Sequence, residues 1–182
     1  MTDAMITPIT LESLTAWVLA CMVKLLNPAM AHGLNETDHT VHHWEESYPS
    51  TAQAIAVASL EAPLFKGETG PQKTAAVLTA LAWHESRFDV NAVGDHGQAR
   101  GLYQVHPTTV PDVEEDMLNE ALPASRTARE LIRQSQRICR GYDIQEQLGW
   151  YAAGSNGCQE AGRKKSRVRM NLAMRLMKEP LP

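Results

Sequence analysis

From Ala75 to Trp83 the chain reads AAVLTALAW, with one hydroxyl and no charge. Alanine and leucine are strong helix formers. A helix wound from this run is apolar on nearly every side, so it cannot lie on a surface. It has to be a central helix with other elements packed round it. Thr74, just after the Gly70-Pro71 breaker, is its expected N-cap. The chain has 182 residues, enough for one domain with a real core. It is 43% hydrophobic with only two phenylalanines, and rich in Ala, Leu and Met, a balance that favours helices around that centre.

The helix runs into a charge. Glu85 falls in its last turn, before the chain opens at Arg87-Phe88-Asp89. The negative end of the helix dipole and partial burial both disfavour a charged carboxylate there. That suits a group whose task is to give up a proton. The plain alternative is a surface glutamate near Arg87.

The residues downstream favour the first reading. Gly94-Asp95-His96-Gly97-Gln98-Ala99-Arg100-Gly101-Leu102-Tyr103-Gln104-Val105 holds three glycines in eight positions. Such a stretch allows tight turns and close approach of backbone to a ligand. Leu102, Tyr103 and Val105 favour a strand. Gly101 lets a ligand approach the backbone, and Gln104 offers it both a donor and acceptors.

Together Glu85-Ser86, Gly101-Leu102-Tyr103-Gln104 and Trp150-Tyr151-Ala152-Ala153-Gly154 resemble three motifs of the lytic transglycosylase and goose-type lysozyme superfamily, namely Glu-Ser, Gly-Leu-Met-Gln and Ala-Tyr-Asn-Ala-Gly. Each motif is weak alone; the three in order are specific. The resemblance covers roughly residues 74 to 160. It implies a mainly α, lysozyme-like fold: a helical bundle with a small β-hairpin beside the catalytic cleft. It implies cleavage of the β-1,4 bond between N-acetylmuramic acid and N-acetylglucosamine in peptidoglycan glycan strands, without a cofactor or metal. Glu85 is then the acid, and Ser86, Gly101, Leu102, Tyr103, Gln104 and Tyr151 hold the sugar. Ala152 stands where the family has asparagine, so one hydrogen bond is lost.

Asp95 bears on which reaction follows. A transglycosylase uses one glutamate as acid and then base; the sugar's own 6-hydroxyl attacks and no water is consumed. A hydrolase needs a group to orient water, usually a second carboxylate. Gly94-Asp95 matches the first aspartate of goose-type lysozymes, but His106 replaces the second. Asp95 is the candidate base; the alternative is a turn residue between glycines. Asp89 reads as a turn cap. The single clear acid tilts the reading toward transfer.

The rest of the chain is less specific. Residues 1-50 lie outside the motif region and read as an apolar helix and a polar connector, with 51-182 as the lysozyme-like domain. Leu14 to Leu26 is apolar but interrupted by Lys24, and too short to span a bilayer. It reads as a helix packed on the domain or on an assembly partner, with a signal anchor as runner-up. Ala29-Met30-Ala31 could be cut by a signal peptidase, but the region ahead of the apolar run holds Asp3 and Glu12 and no Lys or Arg, against a cleavable signal. His39, His42 and His43 lack strong ligand spacing for zinc and read as loop residues. Further helices are expected at Thr51 to Leu60, Ser125 to Tyr142 with Gly141 as C-cap, Ile144 to Ala153, and Ser166 to Lys178. Lys66 to Gln72 is expected to be a loop, and the acidic stretch Pro111 to Pro123 a solvated face or cleft rim. Ile138 and Val168 are expected to face the core. Cys139 and Cys158 can approach each other, and a disulfide would suit an extracytoplasmic enzyme.

The net charge is −4, while Arg163, Lys164, Lys165, Arg167, Arg169, Arg175 and Lys178 crowd the C-terminal segment. That asymmetry fits a solvated helix face or attraction to anionic wall polymers or a lipid surface. No aromatics interleave with the basic residues, so nucleic acid is not an expected partner. The setting is a bacterial envelope, outside the cytoplasm, or a phage virion that must breach one; the sequence does not choose. The competing reading is a non-catalytic lysozyme-like part of a larger assembly.

Overall fold

The computed structural model describes residues 8–26 and 47–182. Among these residues the helices are α1 (Leu11–Leu26), α2 (Tyr48–Glu61), α3 (Gly70–Ser86), α4 (Ala121–Ile138), α5 (Gly149–Ala153) and α6 (Glu160–Leu176). Between α3 and α4 lies a hairpin of β1 (Val93–Gly94) and β2 (Ala99–Arg100), antiparallel, with Val93 opposite Arg100 and Gly94 opposite Ala99. The architecture is the mainly α, lysozyme-like one. Helix α3 is its centre: every residue from Thr74 to Trp83 is buried, and α1, α2, α4 and α6 pack against it.

Three helices begin earlier than the sequence suggested, for one reason. Pro71 reads with Gly70 as a breaker, and it, Pro49 and Pro123 lie in the first turns of α3, α2 and α4 respectively. First-turn N–H groups have no acceptor within the helix, so proline's missing donor costs nothing there and its fixed φ is already helical. The loop expected over Lys66 to Gln72 therefore ends at Thr69. Thr74 lies within α3 and is not its cap. Its buried hydroxyl donates to Gly70 O at 2.8 Å and accepts from Leu64 N at 2.9 Å, tying the preceding loop to the helix.

Other boundaries also differ. Helix α4 stops at Ile138 and Cys139, not Gly141, occupies the cap position. The helix expected over Ile144 to Ala153 divides into a 3-10 turn at Ile144–Glu146 and the short α5. Helix α6 starts at Glu160, ahead of the expected Ser166. Ile138 and Val168 face solvent, at 49% and 51% exposure, while Met170 fills the core.

Helix α1 packs on α2 and buries Leu14, Trp17, Val18, Cys21 and Met22 in the same core as α3. Trp17 Nε1 donates to Glu179 O at 3.0 Å, and Lys24 forms an ion pair with the Glu179 carboxylate. Its apolar face is thus covered by its own chain. Burial pushes the Cys21 thiol up to about 12, so it is unreactive. Among the described residues no helix is long and apolar enough to cross a membrane. Ala29-Met30-Ala31, His39, His42 and His43 lie outside the described residues.

Candidate active site

The end of α3 is built to stop sharply. Arg87 and Phe88 both take left-handed backbone, at φ 56 and 69. Phe88 N–H bonds Ala82 O and Arg87 N–H bonds Trp83 O, each at 3.3 Å, the paired closure that glycine usually provides. What replaces glycine's freedom is contact. The Arg87 guanidinium lies 4.4 Å above the Trp83 ring and donates to Trp83 O at 2.5 Å. Phe88 is fully buried beside Trp83. The chain therefore turns inward immediately after Glu85-Ser86 and leaves Glu85 at the helix lip. Ser86 Oγ donates to Leu102 O at 2.8 Å, fastening that lip to the next loop.

That loop is not the strand expected over Leu102 to Val105. Residues 101–104 form a tight turn, closed by Gln104 N–H to Gly101 O at 3.1 Å, and Val105 bridges back to Arg100. In a strand Leu102 and Tyr103 would point to opposite faces. Both are buried here, at 0% and 1% exposure, from a turn that lies within the core and not from a half-buried pleat. Gly101 has φ +68, and a Cβ there would lie 1.8 Å from Leu118 O. Its bare backbone makes room for the 3-10 turn at Glu115–Asn119 of the same chain. Gln104 Nε2 donates to Ala92 O at 3.1 Å and Gly101 O at 3.0 Å, so its amide holds the loop from within. Asp89 Oδ1 accepts from Asn91 N–H at 2.8 Å, a turn cap.

The second wall, Leu148 to Gly154, depends on other elements. Helix α5 has five residues, too few to be stable alone. Ser135 of α4 donates to Gln147 O at 2.7 Å and accepts from Tyr151 N–H at 3.1 Å. Ser166 of α6 likewise donates to Gln145 O at 2.7 Å and accepts from Leu148 N–H at 3.0 Å. A disulfide between Cys139 and Cys158, with Cα atoms 5.5 Å apart, brackets the segment. Gly149 packs so tightly on Gly157 that a Cβ would lie 2.2 Å from Gly157 O.

The Tyr151 hydroxyl donates to Tyr103 O at 2.9 Å, joining the two walls. Burial, and then the charge of Glu85, raise Tyr151 well above the ordinary tyrosine range, so it stays a donor. Tyr103 is turned away, its hydroxyl 3.0 Å from Ser125 Oγ inside the core.

Between the walls lies a cleft of about 450 Å³, bordered by Glu85, Asp95, Gln104, His106, Tyr151 and Arg169. Trp150 and Ala152 also border it. The structure thus brings Glu85, Asp95, Gln104 and Tyr151 to one cavity. Ser86, Gly101 and Leu102 lie beneath it, with their polar groups spent inside the protein, and Tyr103 borders it with a buried ring. Asp95 Oδ2 sits 3.1 Å from His106 Nε2, and the Asp95 side chain is 60% exposed. The two positions compared with the lysozyme aspartates are therefore partners of one another.

Glu85 has a partner that its place in the sequence did not announce. Arg169 of α6 donates from Nε to Glu85 Oε1 at 2.8 Å, with Nη2 2.7 Å from the same oxygen; the side chains are 16% and 17% exposed. No sequence signal marked Arg169 among its basic neighbours. Trp150 stood inside a recognised motif and was not singled out. Next to Glu85, burial and then the charges of Arg169, Arg87 and Arg175 lower His84 to about 4, so the ring is neutral near pH 7. Among the described residues no cluster of His, Cys, Asp or Glu could hold a metal ion.

A family model described as the Transglycosylase SLT domain matches residues 63–173, more than half of the chain. Comparisons with curated proteins and with solved structures give no match. The chain belongs to the transglycosylase SLT domain family. That membership supports a lytic transglycosylase-like, peptidoglycan-cleaving function in general terms.

Proposed function

We propose that this chain cleaves the β-1,4 bond between N-acetylmuramic acid and N-acetylglucosamine by intramolecular transfer, with Glu85 as acid and then base. The observation that carries the reading is the placing of Glu85: a mostly buried carboxyl at a helix lip, on the wall of a cleft that Tyr151 and Gln104 also border. Glu85 gives its proton to the bridging oxygen. The bond from that oxygen to C1 breaks, and its electron pair stays with the oxygen. The muramic acid 6-hydroxyl then attacks C1 and passes its proton to Glu85. The product is a 1,6-anhydro end, and no water enters. Trp150 offers an aromatic face at the cleft edge for a sugar ring. Gln104 and Tyr151 hold the wall against which the sugar rests.

Asp95 argues for transfer over hydrolysis. Its carboxylate is solvated and already engaged by His106, a poor arrangement for steering one water at C1. The wall polymer places the site of action in a bacterial envelope or outside the cell; a virion setting fits the same chemistry.

The test is digestion of purified peptidoglycan with mass spectrometry of the products. Anhydro ends are expected. Glu85→Gln should lose about two to four powers of ten in rate, because the amide has no proton to give, and should remain folded. Asp95→Asn should keep most of its activity. Reducing N-acetylmuramic acid ends with a dead Asp95→Asn variant would make the protein a hydrolase. An active Glu85→Gln variant would remove Glu85 as the acid. A folded wild-type protein that binds glycan without cutting it would favour a non-catalytic wall-binding role.

A further inference from the structure

Arg169 stands on α6, 84 residues from Glu85. Its neighbours on the helix have other uses: Arg163 and Arg167 both pair with Glu146, and Lys164 and Lys165 are exposed. Arg169 alone of that run turns to the cleft. Its Nη1 donates to Lys165 O at 3.2 Å, which anchors the guanidinium to its own helix. Nε and Nη2 then converge on Oε1 of Glu85. Among the described residues Glu85 Oε2 accepts no hydrogen bond. The guanidinium therefore grips one carboxyl oxygen and leaves the other bare.

We propose that Arg169 is the positioning residue of the acid: by holding Oε1 it presents Oε2 as the oxygen that delivers the proton and later takes it back. This rests on Glu85 being the acid. An acid must sit within hydrogen-bond reach of the bridging oxygen in the right orientation, and a glutamate at a helix lip has free torsions to lose. A planar guanidinium anchored at Nη1 removes them. It cannot replace the acid, because it accepts no hydrogen bond and does not release its proton. Once Oε2 has given its proton, the carboxylate charge appears beside a cation already in place, so nothing has to reorganise to meet it. A lysine could supply the charge but not two N–H groups in one fixed plane.

The experiment uses the full chain with soluble glycan oligosaccharides. Arg169→Ala should lower kcat about tenfold to a hundredfold and leave KM within about twofold. Guanidinium ion at low millimolar concentration should restore part of that kcat, against sodium chloride at equal ionic strength. It should do nothing for Glu85→Gln. Arg169→Lys should lie between wild type and alanine. A fall in activity that tracks a lowered folded fraction, with no rescue by guanidinium, would make Arg169 only structural and overturn the proposal. Unchanged kcat would overturn it as well. A raised kcat would overturn it too, since the ion pair would then restrain the acid. Should Arg169→Ala not fold, the lysine variant decides: a lower kcat at unchanged KM supports the proposal, and an unchanged kcat defeats it. These outcomes leave the role of Glu85 untouched, since only an active Glu85→Gln variant bears on that.

Discussion

The acid wall, from Trp83 to Val105, is held by nearby chain. Its turn closes on its own backbone, Gly101 N–H bonds Ala92 O at 2.8 Å, and Ser86 ties the helix end to Leu102. The wall from Leu148 to Gly154 is held by other helices: a serine from α4, a serine from α6, a disulfide and a glycine contact. The first wall places a chemical group through regular structure. The second is a short irregular segment that exists only because its surroundings fix it. Damage should therefore propagate differently. A break in the acid wall strains the centre of the domain, whereas a break in the other loosens one side of the cleft.

Gly101→Ala tests the acid wall and should have the largest effect on stability. An alanine at φ +68 costs about 1–2 kcal/mol in backbone alone. The methyl would also lie 1.8 Å from Leu118 O, and relieving such a clash costs a further ~1–3 kcal/mol. Denaturant unfolding should show a loss of about 3 kcal/mol or more. A variant within about 0.5 kcal/mol of wild type would mean that this loop yields easily and that the acid wall is not the rigid one.

The disulfide tests the second wall. Its removal, by Cys139→Ser with Cys158→Ser, frees a 19-residue separation and should cost about 3 kcal/mol. The sharper readout is local. Amide exchange should rise first from Leu148 to Gly157, while the α3 amides stay protected up to the global transition. Equal acceleration in both regions would erase the distinction between the walls.

The same contrast explains what could be read from the sequence. The apolar run, the glutamate at its end and the glycine-rich turn are local patterns, and each predicts its own surroundings. Leu102 and Tyr103 misled because strand propensity describes a half-buried pleat, and here both side chains go inward from a turn. Pro71 misled because a breaker and a first-turn residue look alike until the helix start is known. Arg169 could not be found at all. One arginine in a basic run carries no sign of which acid it meets 84 residues away. Ser135 and Ser166 are similar: a serine on a core face reads as a small neutral filler until the backbone it pins is seen.

The smallest expected effect concerns His84, which lies at the acid end of α3 and is held neutral by burial and by Arg169, Arg87 and Arg175. Its folded value, about 4, lies below the ordinary 6.5, so the unfolded chain binds the proton more readily. Stability from this group is then complete above about 6.5 and is lost as pH falls toward 4. The ring is only part-buried, so solvent screening reduces the contribution to the order of 1 kcal/mol. His84→Gln removes the titration and keeps a polar side chain. Between pH 7 and pH 4.5 the variant should lose about 1 kcal/mol less stability than wild type, measured by urea unfolding at each pH. Parallel losses in the two proteins would show that the ring takes up its proton freely in the fold. The acid end of α3 would then be wetter than its packing implies, and the difference between the two walls would narrow from the side of the acid.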